Sequence, residues 1–168
     1  PKGDICSDAV VFAAGAWLPS LHAWFQDKVV AVREHAQAGP ISDTSGLTAF
    51  RGQYGHILGT QLETDWALAG CRWASGHLEV GETDDSVSLP EIQAALDRFR
   101  TDTWGGKDAP THRWAYLWAN TCDGLPIIGP LPGDPTWVSC TGFMGNDWGF
   151  GLRAARAVST GLLHGMDN

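Results

Sequence analysis

The densest group of residues able to do chemistry lies in one glycine-rich loop. In TGFMGNDWGFG, Gly142, Gly145, Gly149 and Gly151 surround Phe143, Met144 and Trp148, between an apolar run (Thr136–Thr141) and a helical run (Phe150–Leu163). A strand that ends in such a loop and opens a helix presents free backbone N–H groups, and glycine lets the backbone approach a ligand closely. An ordinary strand–loop–helix connection carries the same pattern, because glycine-rich loops are weak motifs. No Lys-Ser or Lys-Thr follows the glycines, and G-x-G-x-x-G is missing from the whole chain. The loop therefore reads as a secondary contact for a cofactor and not as a phosphate cradle. G-x-S-x-G is also missing, so a hydrolase reading has no support.

Composition narrows the classes. The 168 residues are 43% hydrophobic and 18% charged, as in a globular chain. The net charge of −8 argues against nucleic acid or an anionic membrane as a partner. The apolar run Ala9–Leu18 is too short to span a bilayer, and PKGDICSD carries no signal-peptide pattern. Four cysteines without C-x-x-C read as reduced thiols of a cytoplasmic protein. Six histidines show no H-x-x-x-H or Cys/His cluster, so no metal is expected. Nine tryptophans read mostly as core or edge packing, with some free to line a site for a flat or cationic ligand.

The elements that must position the loop follow from periodicity. Asp8–Ala14 is apolar on both faces and predicts a buried strand of a parallel sheet, ended by Gly15. Ala16–Gln26 predicts a short helix with Pro19 in its first turn, and Lys28–Glu34 a strand. Residues 36–46 predict a loop; Leu47–Arg51 predicts a strand, and Tyr54–Thr60 a strand or extended segment. Trp66–Trp73 and His77–Glu82 predict a hairpin turning at Ala74-Ser75-Gly76. Ser88-Leu89-Pro90-Glu91 reads as a capping box, and Ile92, Ala95, Leu96 and Phe99 as the apolar stripe of a scaffold helix to Asp102, stopped by Gly105-Gly106. Arg113–Ala119 predicts a strand leading into a turn at Asp123-Gly124. In the last helix Leu152, Ala155, Val158, Ser159, Leu162 and Leu163 predict one buried face, with Arg153 and Arg156 solvated.

Several of these segments resemble one family. VVFAAGAW, Arg51-Gly52-Gln53, DGLPIIGPLPG, TGF-x-G and GFGLRAARAVSTGLLHG look, in order, like the C-terminal part of the FAD-dependent D-amino-acid oxidase, glycine oxidase and sarcosine oxidase group. The resemblance implies an α+β fold: a mixed, largely antiparallel substrate-domain sheet with helices, plus the C-terminal strand–loop–helix of an FAD-binding domain whose N-terminal dinucleotide half is missing. It divides the chain into residues 1–26 (remnant of the FAD-binding domain), 27–129 (substrate-domain-like) and 130–168 (C-terminal part of the FAD-binding domain). It implies FAD as cofactor, contacted by Ala14, Gly15, Trp17, Gly142, Phe143, Met144, Gly145, Trp148 and Gly149, and an amine or amino acid oxidised by hydride transfer to flavin.

The chain departs from the family's pattern in three places. The phosphate-binding turn is absent, so the chain is expected to be a fragment or truncated product, or to be completed by a second chain carrying that half, and the strand at residues 8–14 is expected to lack sheet neighbours and to favour self-association or repacking. Where glycine-oxidase-like members carry an arginine five residues before the D-G-x-P aspartate, this chain has Trp118. That favours an amine or bulkier substrate, with Arg51 or Arg113 as replacement cations. The loop is two residues longer than the family's, lacks its histidine, and places Asp147 near the helix start, where a carboxylate opposes charge on a reduced flavin but can cap the helix. The reading from a different class is a non-catalytic binding or regulatory module derived from the fold and inert without a partner chain.

Overall fold

The computed structural model describes residues 3–40, 49–52, 57–61, 64–104 and 108–164. Gln53, Tyr54–His56, residues 41–48, Gly105-Gly106 and Gly165, on which some of the expectations fall, lie outside them. The chain divides into two compact units, residues 1–31 with 118–168, and residues 32–117.

The first unit is built on a three-stranded sheet, in order β1 (Val10–Phe12), β8 (Asp134–Thr141) and β7 (Ile127–Leu131). β1 runs parallel to β8 with Val10, Val11 and Phe12 opposite Trp137, Val138 and Ser139, and β7 is antiparallel to β8. The expected first strand is thus found, and in the parallel setting, but it is shorter and less buried than its composition suggests. Val10 and Val11 are 36% and 45% exposed. It also has a sheet neighbour, which corrects the expectation that it would have none: in β8, Trp137 lies 127 residues after its partner Val10, beyond the reach of any local pattern. After β1 the chain makes a 3-10 turn (Gly15–Trp17), one turn of helix, α1 (Leu18–Leu21), and a second 3-10 turn (Ala23–Phe25), in place of a single helix. The break falls at His22, which is extended and whose Nδ1 accepts the N–H of Trp24. Leu18, Phe25, Val29 and Leu131 form the core of this unit.

Its last helix, α3 (Asp147–His164), buries a narrow stripe in which Ala154 and Val158 are fully covered. The expected broad face is corrected: Leu152 and Leu163 are 87% and 77% exposed. The helix docks through Ala154 and Val158, so the larger side chains on either side of that stripe stay in solvent. Arg153 and Arg156 are solvated as expected.

The second unit contains a five-stranded sheet in order β3 (Ala49–Gly52), β4 (Ile57–Gln61), β5 (Asp65–Gly70), β2 (Val29–Pro40) and β6 (His112–Thr121), with the unit boundary falling inside β2 and β6. The β3–β4, β4–β5 and β5–β2 pairs are antiparallel. Helix α2 (Pro90–Trp104) covers one face, and Ile92, Ala95 and Leu96 pack with Ile57, Trp66, Leu68 and Cys71. Burying each larger apolar side chain contributes roughly 1.5–3 kcal/mol.

Two expectations for this unit are corrected. Residues 36–40 continue β2 and are not loop. Gln37, the polar side chain among them, is buried with its Oε1 accepting from Arg113 Nη1 at 3.1 Å and its Nε2 without a partner among the described residues. The hairpin of Trp66–Trp73 with His77–Glu82 does not form. β5 stops at Gly70, Cys71 takes a left-handed conformation (φ 61°), and Arg72–Ser75 winds into a 3-10 turn. Beyond it only Val80 bridges to a strand residue, Val32. Among the tryptophans whose side chains are described Trp66 alone is fully buried, while Trp24, Trp118 and Trp137 pack at edges, against Phe25, Gly145 and Phe12.

Candidate functional site

The parallel β1–β8 pair fixes the place of most of the expected cofactor residues. Both strands end on the same edge, and both run straight into glycine-bearing turns, Ala14–Trp17 and Gly142–Gly145. Ligands of open α/β sheets bind beyond the carboxyl ends of parallel strands. Gly15, Gly142 and Gly145 have φ of 54°, 78° and 79°. Met144, at φ 50°, adopts the same left-handed region without glycine's freedom.

The loop is seated by neighbours that sequence reading did not connect with it. A Cβ at Gly142 would run into Thr121 Cγ2, and one at Gly145 would lie 2.9 Å from two atoms of the Trp118 indole. Met144 Cε rests 3.7 Å from the corresponding position at Gly124. The turn before it is tied by Thr121 Oγ1 donating to Leu125 O (2.8 Å) and Leu125 N–H donating to Asp123 Oδ1 (3.0 Å). Trp118, expected at a substrate carboxylate position, is therefore a wall of the loop. Thr141, 2% exposed, holds its Oγ1 without a hydrogen-bond partner among the described residues, at the end of β8 and next to Gly142. Buried polar atoms rarely stay unpaired. A glycine-lined edge with an orphaned hydroxyl fits a polar, flat group such as the flavin the motifs imply.

The other expected cofactor residues are placed less closely. Trp17 is half-exposed beyond the first turn. Phe143 is half-buried, while Trp148 and Gly149 lie in the first turn of α3, with Trp148 99% exposed. Asp147 opens the helix, and Asn146 O accepts the N–H groups of Gly149 and Phe150. An acidic first residue suits the positive end of the helix dipole.

The second unit carries a separate pocket. The face of the sheet opposite α2 holds a cavity of about 350 Å³, floored by Ala36, Ala67 and Ala69 and walled by Leu58, Trp114 and Tyr116. Strand register explains its composition. Ala36 pairs with Ala69, Leu58 pairs with Ala69 and Arg51, and paired residues share a face. Small side chains in the middle strands leave a hollow that the aromatic side chains of β6 border. Arg51, exposed on edge strand β3, stands on this face beside Leu58. Arg113 does not: it makes paired contacts with Asp97 (2.8 and 2.9 Å) and also bonds Gln93 and Gln37, so it is occupied as a brace for α2.

β2 also carries buried charge. The fully buried Glu79, at φ 60°, is met by Arg33 Nε at 2.7 Å, His35 Nε2 at 3.1 Å and His77 Nε2 at 3.1 Å. Burial works to raise its carboxyl, but the hydrogen bonds from His35 and Arg33 hold it below the usual range. Glu34 faces Arg72 Nε at 3.2 Å and accepts the N–H of His35 at 3.2 Å. Burial pushes Glu34 up to about 7 against the pull of Arg72. Neither group was legible in sequence, where a single Glu in a polar stretch reads as surface. Among the described residues, no set of three or more His, Cys, Asp or Glu is placed to hold a metal, and no helix is long and apolar enough to cross a membrane.

No protein-family profile matches the chain. An uncharacterized oxidoreductase of Halorhodospira halophila is 29% identical over 166 residues, spanning 96% of this chain and 74% of that protein. Glycine oxidase from Bacillus cereus superposes with a TM-score of 0.78 at 16% identity, over 99% of this chain and 46% of its own. Iminodiacetate oxidase from Chelativorans sp. gives 0.80 at 16% identity, over 97% and 44%. L-proline dehydrogenase from P. horikoshii gives 0.76 at 21%, over 95% and 44%. The chain spans less than half the length of these solved structures. Its α+β architecture is that of part of the fold shared by these glycine oxidase, iminodiacetate oxidase and L-proline dehydrogenase structures.

Proposed function

We propose that the chain is the C-terminal part of an FAD-dependent oxidoreductase acting on an amine or amino acid. In this reading residues 1–26 and 130–168 serve FAD and residues 27–129 serve the substrate. The observation that carries it is the pair of glycine turns at the common edge of β1 and β8, with Thr141 Oγ1 orphaned beside them. FAD, when bound, supplies an acceptor for the two electrons and the hydrogen removed from the carbon beside the amine nitrogen. The chain's own residues bind and orient. Gly15, Gly142 and Gly145 let backbone N–H groups come close, the Trp118 indole backs the loop, and Trp17 and Trp148 offer exposed aromatic faces. In the second unit the alanine-floored pocket takes the substrate's apolar part, and Arg51 offers a cation to a carboxylate.

The test is the visible spectrum of the purified chain after mixing with excess FAD and dialysis, repeated with a polypeptide carrying a G-x-G-x-x-G turn. A retained flavin band that bleaches anaerobically on adding amines or amino acids supports the reading. A chain that retains no flavin in either setting refutes it and leaves the inert binding module derived from the fold.

A further inference from the structure

The hollow on the sheet face has a shape that discriminates among apolar groups. All of its lining residues belong to one unit, residues 32–117. The strand order β4-β5-β2-β6 puts alanines on the two middle strands and larger side chains on the two flanking ones. Ala36, Ala67 and Ala69 make the floor; Leu58 rises from β4, and Trp114 and Tyr116 rise from β6. Neighbouring strands lie about 4.8 Å apart, so the two walls stand on backbones about 14 Å from one another. Between them about 350 Å³ stays open over a flat, apolar floor. That volume suits a small organic group.

We propose that this trough is a specificity pocket for a flat aromatic ring, carried as the side group of an amino acid or amine. Trp114 and Tyr116 are two residues apart on one strand, so both rings stand on the same face. Trp114 is 40% exposed, which leaves apolar area for a ring in the trough to cover. Aromatic pairs in offset or edge-to-face contact gain beyond the area they bury, by about 2- to 10-fold in affinity. A straight alkyl chain covers the same alanines without that gain, and a methyl group leaves most of the hollow unfilled. None of the described lining side chains is charged, so the ligand's ionised groups stay at the mouth and the pocket reads the side group alone. Ala69 sits in register between Leu58 and Ala36, so a larger side chain there fills the middle of the trough. The inference narrows the substrate class of the proposed oxidoreductase. Oxidation of such a ligand rests on that reading; binding of the ring does not.

The experiment uses the 168-residue chain without flavin. Isothermal titration calorimetry compares racemic phenylalanine, norleucine and alanine, which share one head group and differ in the side group. Phenylalanine is expected to bind about 2- to 10-fold more tightly than norleucine, and alanine not to saturate where phenylalanine does. In Trp114→Ala the preference for the ring over the alkyl chain disappears while both still bind. In Ala69→Leu phenylalanine loses at least about 10-fold, with circular dichroism and urea unfolding confirming that the variant is folded. Should Ala69→Leu not fold, Trp114→Ala, altered at a part-exposed wall, still decides the matter. Equal affinity for phenylalanine and norleucine, an intact preference in Trp114→Ala, wild-type binding by a folded Ala69→Leu, or no saturable phenylalanine binding would overturn the proposal. A chain that prefers the ring yet retains no flavin in either setting removes the oxidoreductase reading and leaves the ring pocket. A flavin-retaining chain without the preference does the reverse.

Discussion

Replacing Glu34 by Gln removes a titration that the fold makes costly. Burial lifts this carboxyl from an ordinary 4.5 to about 7 in the folded chain. An acid whose folded value is raised contributes stability that is fully present below its unfolded value and lost as pH rises through the folded one. At about 1.36 kcal/mol per unit, the wild type loses about 3 kcal/mol on this group's account between about pH 4.5 and about pH 8. Glu79 works in the opposite sense, since its carboxyl is held down, and its contribution is lost only as pH falls below the ordinary carboxylate range. The two effects therefore occupy different pH windows. Urea unfolding followed by tryptophan fluorescence reads the effect directly, with Trp66 buried in the core of the same unit. The quantity to compare is the stability of Glu34→Gln minus that of wild type, measured at both ends of the window. That difference is expected to shift by about 3 kcal/mol in favour of the variant as pH rises, whatever the substitution costs at low pH. A constant difference would mean that Glu34 is not a buried acid, and the reasoning built on it would fail.

Four further outcomes follow from the geometry. Gly142→Ala forces a left-handed φ of 78° on a Cβ that meets Thr121, so a loss of at least 1–2 kcal/mol, roughly, is expected in urea unfolding, only partly relieved by Thr121→Ser. Arg33→Met leaves the buried Glu79 carboxylate short of its 2.7 Å partner and should cost about 3–5 kcal/mol, read by the same assay. Trp148→Ser touches a residue 99% exposed and should move stability by no more than about 0.5 kcal/mol, while weakening FAD binding if the residue contacts the cofactor. In thiol titration with a coloured disulfide reagent, the exposed Cys6 and Cys122 should react first. Burial raises Cys140, and raises Cys71 to about 12, so Cys71 should react only on unfolding.

Local pattern sufficed where one element supplies its own reason to form. The stripe Ile92, Ala95, Leu96 and Phe99 defined α2 because a 3.6-residue period leaves one face to bury. The Asp123-Gly124 turn follows from Asp side-chain chemistry and from the φ of 75° that glycine tolerates. The glycine loop, the strand before it and the helix after it were likewise legible, as was the parallel setting of β1. What the sequence misjudged depends on partners far along the chain. The hairpin after Trp66 failed because Cys71 and Gly76 turn left-handed and a buried ion cluster around Glu79 claims the segment that would have been its second strand.

The motifs in the amino-acid order thus pointed to the fold class, and to the glycine loop as the place where a cofactor is expected. Tertiary structure decided which side chains meet. Register placed Ala36, Ala67 and Ala69 on one floor with Arg51 beside Leu58, and the fold brought Arg72 to the buried Glu34. Burial, which no local window records, turned that ordinary glutamate into an acid that changes charge near neutrality.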